Sequence, residues 1–275
     1  MRKLLKPVFS YIFLGITTCS FLLPFIFMVS TSLKFPSDVF SIPLKLFPSR
    51  ITLTNFVKGW KTVDFTTYTY NTLIVTVLAV LGATVTSIIV AYGFARFHSR
   101  TSKLLFSILL ASMMLPGQIT LIPTYIIFAK LKWIDTFLPL IVPSWFGGGA
   151  FNIFLLRQFI MTIPKELDQA ATIDGANSFQ ILYRIIVPSM KPAITTVFLM
   201  TTIFHWNDFF LPLIYLNSNN KFTIAVGLRF FQSSYSSEIQ LMLAVSVVTI
   251  IPVLILFFAA QKYFVQGVTM SGIKG

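Results

Sequence analysis

Residues 164–193 read "PKELDQAATIDGANSFQILYRIIVPSMKPA", a polar and alanine-rich stretch between two strongly apolar parts of the chain. It holds three of the eight acidic residues in the whole sequence, Glu166, Asp168 and Asp174. The first two suit the first turn of a helix, because the helix dipole favours negative charge there. Gly175 then predicts the end of that helix, since glycine adopts the left-handed conformation common after a helix C-terminus.

The second half of the stretch predicts another helix. Asn177 and Gln180 have the spacing of a capping box, in which each side chain bonds the backbone of the other residue. An apolar stripe follows at helical spacing and consists of Phe179, Leu182, Tyr183 and Ile186. A helix, a glycine turn and a second helix make a protrusion that another protein could bind, although an amphipathic linker lying on a membrane would have the same periodicity.

The composition places the chain among polytopic membrane proteins. Of its 275 residues 56% are hydrophobic and 11% are charged, with a mean hydropathy of +0.83, whereas soluble domains carry about 25% charged residues. The net charge of +13 is typical of the lysines and arginines that flank membrane spans on the cytoplasmic side. No basic and aromatic face accompanies that charge, so nucleic-acid binding is not expected. The single cysteine excludes an intrachain disulfide.

Six stretches are long and apolar enough to cross a membrane, which takes about 20 residues. They predict an all-α polytopic protein with a single transmembrane domain over residues 1–275 and spans at about 7–33, 71–95, 104–129, 136–156, 192–216 and 241–260. Prolines and glycines interrupt the third and fourth spans, so these two helices should be kinked and packed against protein rather than bathed in lipid. The glycine run 147–149 lacks the lysine and hydroxyl residue of a phosphate-binding loop and indicates close helix packing.

The distribution of lysine and arginine sets the predicted orientation. With the N-terminus inside, 12 of the 21 lysines and arginines lie on the inner side and nine on the outer side. Positive residues favour the cytoplasm. Both termini, the connection 157–191 and the tail 261–275 are therefore expected to be cytoplasmic.

The polar stretch resembles the EAA loop of the permeases of binding-protein-dependent ABC importers. The residues that carry the resemblance are Gln169, Ala170, Ala171, Asp174, Gly175, Ala176, Ile185 and Pro188. The sequence departs from the family pattern at Gln169, where the motif has glutamate, and at Val187, where it has leucine. In that family the loop docks into a cleft on the ATPase subunit, so the resemblance implies the same coupling role for residues 157–191.

Other segments, in their order along the chain, resemble the carbohydrate class of these permeases and in particular the second permease subunit of maltose-type transporters. They are "FLLPFIFMVSTSLK" in the first span, "NTLIV…AYGFARF" in the second span, "WNDFFLPL" at 206–213 and the tail "YFVQGVTMSGIKG". The resemblance implies that Gly267, Gly272 and Lys274 of the tail face the ATPase subunits.

The implied function is that of a permease subunit in the cell membrane. It would form part of the path for a di- or oligosaccharide or a related polyol. The implied partners are an ABC ATPase dimer, a second related permease subunit and an extracytoplasmic solute-binding protein. The first outer loop is long enough to contact that binding protein.

Trp206, Asn207 and Asp208 are the candidates for the substrate path within a predicted span. Tryptophan stacks on sugar rings, while amide and carboxylate groups bond hydroxyls; ionisable residues inside a membrane are functional candidates by default. The alternative for Asp208 is that it pairs with a neighbouring helix or caps a helix break near Pro212. Trp145 and Phe146, beside the glycine run, are further candidates for the path.

Enzymatic functions lack the necessary residues. The sequence contains no Gly-x-x-x-x-Gly-Lys-Ser/Thr, so the chain is not expected to bind ATP in such a loop, and ATP and magnesium are assigned to the partner ATPase. No catalytic, metal-binding or cofactor-binding residues are predicted. The alternative function is a secondary transporter or channel that works without ATP, which would need intramembrane ionisable residues. A membrane scaffold is a third hypothesis, disfavoured by the kinked spans.

Overall fold

The computed structural model describes the backbone of residues 2–43, 45–235 and 238–272. It describes the side chains of residues 10–43, 45–232, 234–235 and 238–261. All regular elements within these ranges are helical. The predicted all-α class is therefore confirmed.

The described residues form fifteen α-helices, two 3-10 helices and one π-helical turn. In chain order the α-helices are α1 (Arg2–Ser32), α2 (Pro36–Val39), α3 (Thr54–Thr62), α4 (Phe65–Arg96), α5 (Arg100–Ser112), α6 (Gly117–Lys130), α7 (Leu138–Ile141), α8 (Ala150–Thr162), α9 (Glu166–Ile173), α10 (Ser178–Ile181), α11 (Val187–Ser189), α12 (Lys191–Asn207), α13 (Phe210–Tyr215), α14 (Ile224–Ser234) and α15 (Ile239–Gly272). The 3-10 helices are Val142–Trp145 and Asn219–Lys221, and the π-helical turn is Leu182–Ile186.

Four helical stretches are long and apolar enough to cross a membrane. They are Ser10–Ser32, Phe65–Arg96, Leu138–Thr162 and Ile239–Gln261. Two bent pairs bring the number to six if each counts as one span: Arg100–Ser112 with Gly117–Lys130, and Ser178–Ser189 with Lys191–Asn207. Large apolar side chains on these helices, among them Phe21 and Ile122, are exposed, as expected for a protein whose solvent is hydrocarbon.

The predicted third span, 104–129, is not one helix. α5 ends at Ser112, α6 begins at Gly117, and the two axes differ by 101°. The break coincides with Pro116, and the residue before a proline is pushed out of the helical conformation. Pro123 lies inside α6 without ending it.

The fourth predicted span, 136–156, is also broken, and it ends later than expected. α7 and the 3-10 helix Val142–Trp145 precede three glycines with positive φ, Gly147, Gly148 and Gly149, after which α8 runs to Thr162. Arg157, the first residue of the connection predicted at 157–191, is therefore still helical. Its Nε donates to Phe94 O at 3.3 Å, and its guanidinium carbon lies 4.0 Å from the centroid of the Phe106 ring.

The chain divides into two compact units. One comprises the described residues up to Thr66 together with Val226–Pro252, and the other comprises Thr67–Ala225 and the described residues from Val253 onward. In the first unit, α3 approaches the start of α15 so closely that a Cβ on Gly59 would lie 2.8 Å from Leu241 O. The amide of Asn55 in α3 donates to Ser32 O and Lys34 O, both at 2.8 Å, which ties α3 to the end of α1.

The core of the second unit lies where α4, α8 and the segment before α12 meet. Its buried residues include Ala91, Tyr92, Ala95, Leu156, Ile160, Ile181, Ile186, Met190 and Val197. The glycine run packs against α4, since a Cβ on Gly148 would lie 2.2 Å from Ala83 O. Close packing, the interpretation given above to the glycines at 147–149, is thus confirmed.

The helix that contains the sixth predicted span continues without a break past residue 260, the predicted end of that span. α15 is helical as far as Gly272. One glycine in a long apolar helix costs only about 1 kcal/mol, so Gly267 does not end it. Lys274, the charged residue predicted to face the ATPase, lies outside the described residues.

Candidate functional site

The polar stretch forms two short helices around Gly175. α9 carries Glu166 and Asp168 in its first turn, and Gly175 follows with φ +83°. The Asn177 side chain accepts from Gln180 N at 2.9 Å, while Gln180 Oε1 accepts from Asn177 N at 2.8 Å. This reciprocal pair satisfies backbone groups that the first turn of a helix would otherwise leave without partners.

One face of this segment is buried against the unit to which it belongs. Ala171, Ile181, Leu182, Ile186 and Met190 belong to the core described above. A stretch of short helices that buries so much of its apolar surface is held as a fixed part of the protein. It is not a loose linker.

The opposite face exposes the residues expected to bind a partner. Gln169, Ala170, Asp174, Gly175 and Pro188 are exposed, and Ala176 and Ile185 are partly exposed, whereas Ala171 is buried. Three large apolar side chains also project there: Ile173, Phe179 and Tyr183 are 86%, 70% and 67% exposed.

The apolar stripe predicted for the second helix was therefore wrong in part. Leu182 and Ile186 are buried, but Phe179 and Tyr183 point away from the core. The π-helical turn Leu182–Ile186 shifts the helical phase in this region, and a stripe drawn at ideal α-helical spacing does not include that shift.

An ion pair that the sequence did not reveal joins this segment to α4. Arg96 Nε, on the last residue of α4, lies 2.6 Å from Asp168 Oδ2, and the two side chains are only 7% and 17% exposed. Arg96 Nη2 also donates to Ile163 O at 3.1 Å. The acid beside Gln169 thus faces the protein, while Gln169 itself faces outward.

A cavity of about 660 Å³ lies elsewhere in the second unit. Its walls come from α6, α7, the 3-10 helix that follows, α8, α12 and α13. Its polar groups are contributed by Thr120, Thr124, Ser144, Asn152, Thr201, His205 and Tyr215, and its aromatic surfaces by Phe128, Phe151 and Phe204. None of the described residues that line it is an aspartate, glutamate, lysine or arginine.

The polar groups of this cavity are ordered by contacts with one another. Asn152 Nδ2 donates to Gly148 O at 2.7 Å and to Thr201 Oγ1 at 3.2 Å. Ser144 Oγ lies 3.4 Å from His205 Nε2. The Thr120 and Thr124 hydroxyls donate to carbonyl oxygens of their own helix, Gly117 O at 2.9 Å and Thr120 O at 2.6 Å, and each hydroxyl oxygen can still accept a hydrogen bond.

The five residues predicted to line the path are not among those that line this cavity. Trp206 is buried, and Asn207 Nδ2 donates to Ile203 O at 2.8 Å within its own helix. Asp208 Oδ1 accepts from Leu211 N at 3.2 Å, so it caps α13 at the break between α12 and α13, which was the alternative considered for this residue.

The other two predicted path residues, Trp145 and Phe146, also lie outside the cavity lining. Trp145 Nε1 donates to Leu78 O at 3.1 Å, and its ring occupies the space beside Gly82. Phe146 is exposed. Sequence reasoning selected aromatic and charged residues, whereas the cavity uses threonine, serine and asparagine, which are common in membrane helices and give no distinctive signal.

Comparison with known proteins agrees with this architecture. Residues 83–270 match the family described as "Binding-protein-dependent transport system inner membrane component". The chain is 33% identical over 268 residues to the "Putative ABC transporter permease protein ORF2" of Caldicellulosiruptor sp. (strain Rt8B.4), with 96% of each chain covered. It is 29% identical over 281 residues to the "Arabinooligosaccharides transport system permease protein AraQ" of Halalkalibacterium halodurans, with 100% of each covered.

A solved structure shares the fold. It is a chain of a bacterial ABC transporter involved in the import of the acidic polysaccharide alginate, with a TM-score of 0.84, 26% identity, and coverage of 94% of this chain and 96% of that one. The family match spans well over half of this sequence. The chain therefore belongs to the inner membrane components of binding-protein-dependent transport systems, the permeases of ABC transporters.

Proposed function

We propose that this chain is the permease subunit of an ABC importer and forms part of the path for a carbohydrate, most simply a di- or oligosaccharide or a related polyol. The observation that carries the proposal is the cavity, which combines amide and hydroxyl groups with aromatic surfaces and has no aspartate, glutamate, lysine or arginine among the described residues that line it. Sugars present hydroxyls and apolar ring faces, and such sites bind them through a few placed polar groups on an apolar wall. A relative whose name refers to arabino-oligosaccharide transport supports the same substrate class.

The alternative of an ion-coupled transporter finds little support in this cavity. Ion coupling uses intramembrane carboxylates or similar groups at the site of binding. Asp208, the acid within the fifth predicted span, caps α13 instead. Energy is therefore assigned to ATP hydrolysis by separate subunits, which would bind ATP and magnesium.

The exposed face of residues 166–188 is the proposed docking surface for the ATPase dimer. It joins a left-handed glycine, Gly175, to the exposed apolar side chains Ile173 and Phe179. Exposed apolar groups of this size on a fixed support are typical of protein interfaces. The other proposed partners are a second related permease and an extracytoplasmic binding protein.

The cavity is tested by sugar uptake in proteoliposomes that contain the assembled transporter and its binding protein. Asn152→Ala and Thr201→Val remove the ordered amide and hydroxyl, and we expect uptake to fall by about tenfold or more for each, the effect of about 1.5 kcal/mol. Thr202→Val is the matched control, because the Thr202 hydroxyl donates to Phe198 O of its own helix and Thr202 does not line the cavity. Unchanged uptake in both cavity variants would remove the assignment.

The docking surface is tested by copurification. Ile173→Ser combined with Phe179→Ser should reduce recovery of the ATPase subunits with the tagged permease. Ile42→Ser is the control, since Ile42 is also strongly exposed and lies in the first outer loop of the proposed topology. Full recovery of the ATPase with the double variant would contradict docking at this surface.

Orientation is tested at Asp174, which is exposed, rather than at Asp168, which is paired with Arg96. In a Cys19→Ala background, Asp174→Cys should react with a membrane-impermeant maleimide only after the cells are opened. Reaction in intact cells would place this segment outside and overturn the proposed topology.

A further inference from the structure

Asp135 is the centre of a dense hydrogen-bond cluster that neither the family match nor the predicted sites explain. It lies between α6 and α7, and its partners in the cluster are among residues 215–221, which begin with the last residue of α13. Its backbone N–H donates to Tyr215 O at 2.7 Å, and its Oδ1 accepts from the backbone N–H groups of Asn217 and Ser218, both at 2.9 Å. Its Oδ2 accepts from Ser218 Oγ at 2.5 Å and from Lys221 Nζ at 3.0 Å, and its own carbonyl oxygen accepts from Lys221 Nζ at 2.5 Å.

The backbone of Asp135 is adapted to this arrangement. Its φ is +60°, a conformation that costs most residues about 1–2 kcal/mol and that aspartate and asparagine tolerate better than others. The donors from Ser218 and Asn217, with that from Lys221, hold the pKa of the carboxyl well below its usual range. The carboxylate is thus charged at neutral pH, when its hydrogen bonds are strongest.

The cluster fixes one end of the cavity. Tyr215 and Leu211 of α13 line the cavity on one side, and Phe128 of α6 lines it on another. The Tyr215 ring meets Phe128 edge-on with centroids 5.4 Å apart, and it stacks on Tyr125 at 6.2 Å. Asp135 follows α6 in the chain and binds the residues that follow Tyr215, so it holds these two walls together where the aromatic rings meet.

We propose that Asp135 is a positioning residue that holds these two walls together and so limits the size of the solute that the cavity admits. The inference rests on the proposed function for its biological meaning, because the solute whose size is limited would be a sugar. Its physical content, the width of the cavity, is independent of any sugar. Lys221 and Ser218 are the side-chain partners through which Asp135 acts.

The test measures access to the cavity with thiol reagents of two sizes. Thr124→Cys, in a Cys19→Ala background, places a thiol on the cavity wall. The purified transporter is treated with methanethiosulfonate ethylammonium, which is small, or with a biotin-bearing methanethiosulfonate, which is bulky. The ratio of the rate with the bulky reagent to the rate with the small one reports how large a molecule can reach this wall of the cavity.

In Asp135→Ala the rate with the bulky reagent, divided by the rate with the small reagent, should rise by about tenfold. This is the shift expected when one charge-assisted hydrogen bond is lost. Lys221→Met removes a single partner and should raise the ratio by a smaller factor. Asp38→Ala is the matched control, because the Asp38 carboxylate forms no ion pair within the part of the chain that the structure describes.

A merely structural role would lower the yield of assembled transporter or both reaction rates together, and it would leave their ratio unchanged. An unchanged ratio in Lys221→Met and in any assembled Asp135→Ala would overturn the proposal. If Asp135→Ala does not assemble, Lys221→Met alone decides. Because no sugar is used, failure here is distinguishable from loss of uptake in the Asn152 and Thr201 variants, which tests the proposed function.

Discussion

Replacing Asp168 by asparagine should loosen α9 from α4 while the rest of the permease stays folded. The change removes the negative charge that Arg96 faces and keeps the size of the side chain. If the Arg96–Asp168 pair is what holds the docking segment in place, the effect should be local. It should also carry through to transport, because α9 belongs to the proposed ATPase-docking segment.

The size of the effect follows from burial. Two unit charges about 4 Å apart attract by about 4 kcal/mol at an effective dielectric constant of about 20. Removing one partner of a buried pair costs about 3–5 kcal/mol, whereas an exposed pair contributes only about 0.2–1 kcal/mol. With side chains 7% and 17% exposed, this pair is close to the buried case, and about 3 kcal/mol is expected.

Hydrogen–deuterium exchange, followed by mass spectrometry of the assembled transporter in nanodiscs, measures this quantity. Amides in a locally opening segment exchange in proportion to the population of the open state. A loss of about 3 kcal/mol raises that population about 100-fold. Peptides that cover 164–175 should therefore exchange about 100-fold faster in Asp168→Asn, while peptides from α4 and α12 keep their wild-type rates.

Glu166→Gln is the matched control. Glu166 is an acid in the same first turn, so its loss has the same effect on the helix dipole, but it is exposed and makes no ion pair among the described residues. Equal exchange in the two variants would refute the reasoning, because it would show that the ion pair does not anchor α9. Replacing both partners, as Arg96→Met with Asp168→Leu, should restore protection in large part, since an apolar pair leaves no buried charge unpaired.

Gly175→Val should abolish uptake and transport-stimulated ATP hydrolysis in a normally inserted permease, because a β-branched residue is strained at φ +83°. Gly175→Asn should retain both activities. Normal uptake by the valine variant would contradict the coupling role. Gly148→Ala should lower the thermal midpoint of the purified permease more than Gly149→Ala does. A Cβ at position 148 would lie 2.2 Å from Ala83 O, while a Cβ at position 149 would have no atom within 4 Å. Equal midpoints would show that the close approach of Gly148 to α4 is not needed. The stability that Asp135 contributes through its lowered pKa is present above the ordinary pKa of 3.8 and is lost as pH falls below it. The difference in thermal midpoint between wild type and Asp135→Asn should therefore be constant from pH 8 to about 5 and shrink toward pH 3. A constant difference throughout would mean that the charge is unimportant. Deleting 267–275 should impair ATP hydrolysis or its coupling to uptake while the subunits still copurify, and wild-type rates for both would show that this end has no such role.

The local pattern of residues was sufficient for several features of this protein. Apolar stretches of about 20 residues predict membrane helices because a helix satisfies all of its backbone hydrogen bonds within one segment of that length. The capping residues Asn177 and Gln180 and the left-handed glycine at 175 follow from rules that act within one turn of chain. The family resemblance also rests on residues close together in sequence, so it too was readable without a structure.

Contacts between distant parts of the chain were decided only by the tertiary structure. Arg96 and Asp168 are 72 positions apart, and Asp135 and Ser218 are 83 apart, so no periodicity connects them. The cavity is lined by threonine, serine and asparagine from several helices, residue types that are common in membrane spans and acquire a role only when the helices bring them together. Trp206 and Asp208 have the chemistry expected of a sugar path, but in the structure Trp206 is buried and Asp208 bonds the first turn of α13. Sequence determines which side chains are available, and the packing of the helices determines which of them face the same space.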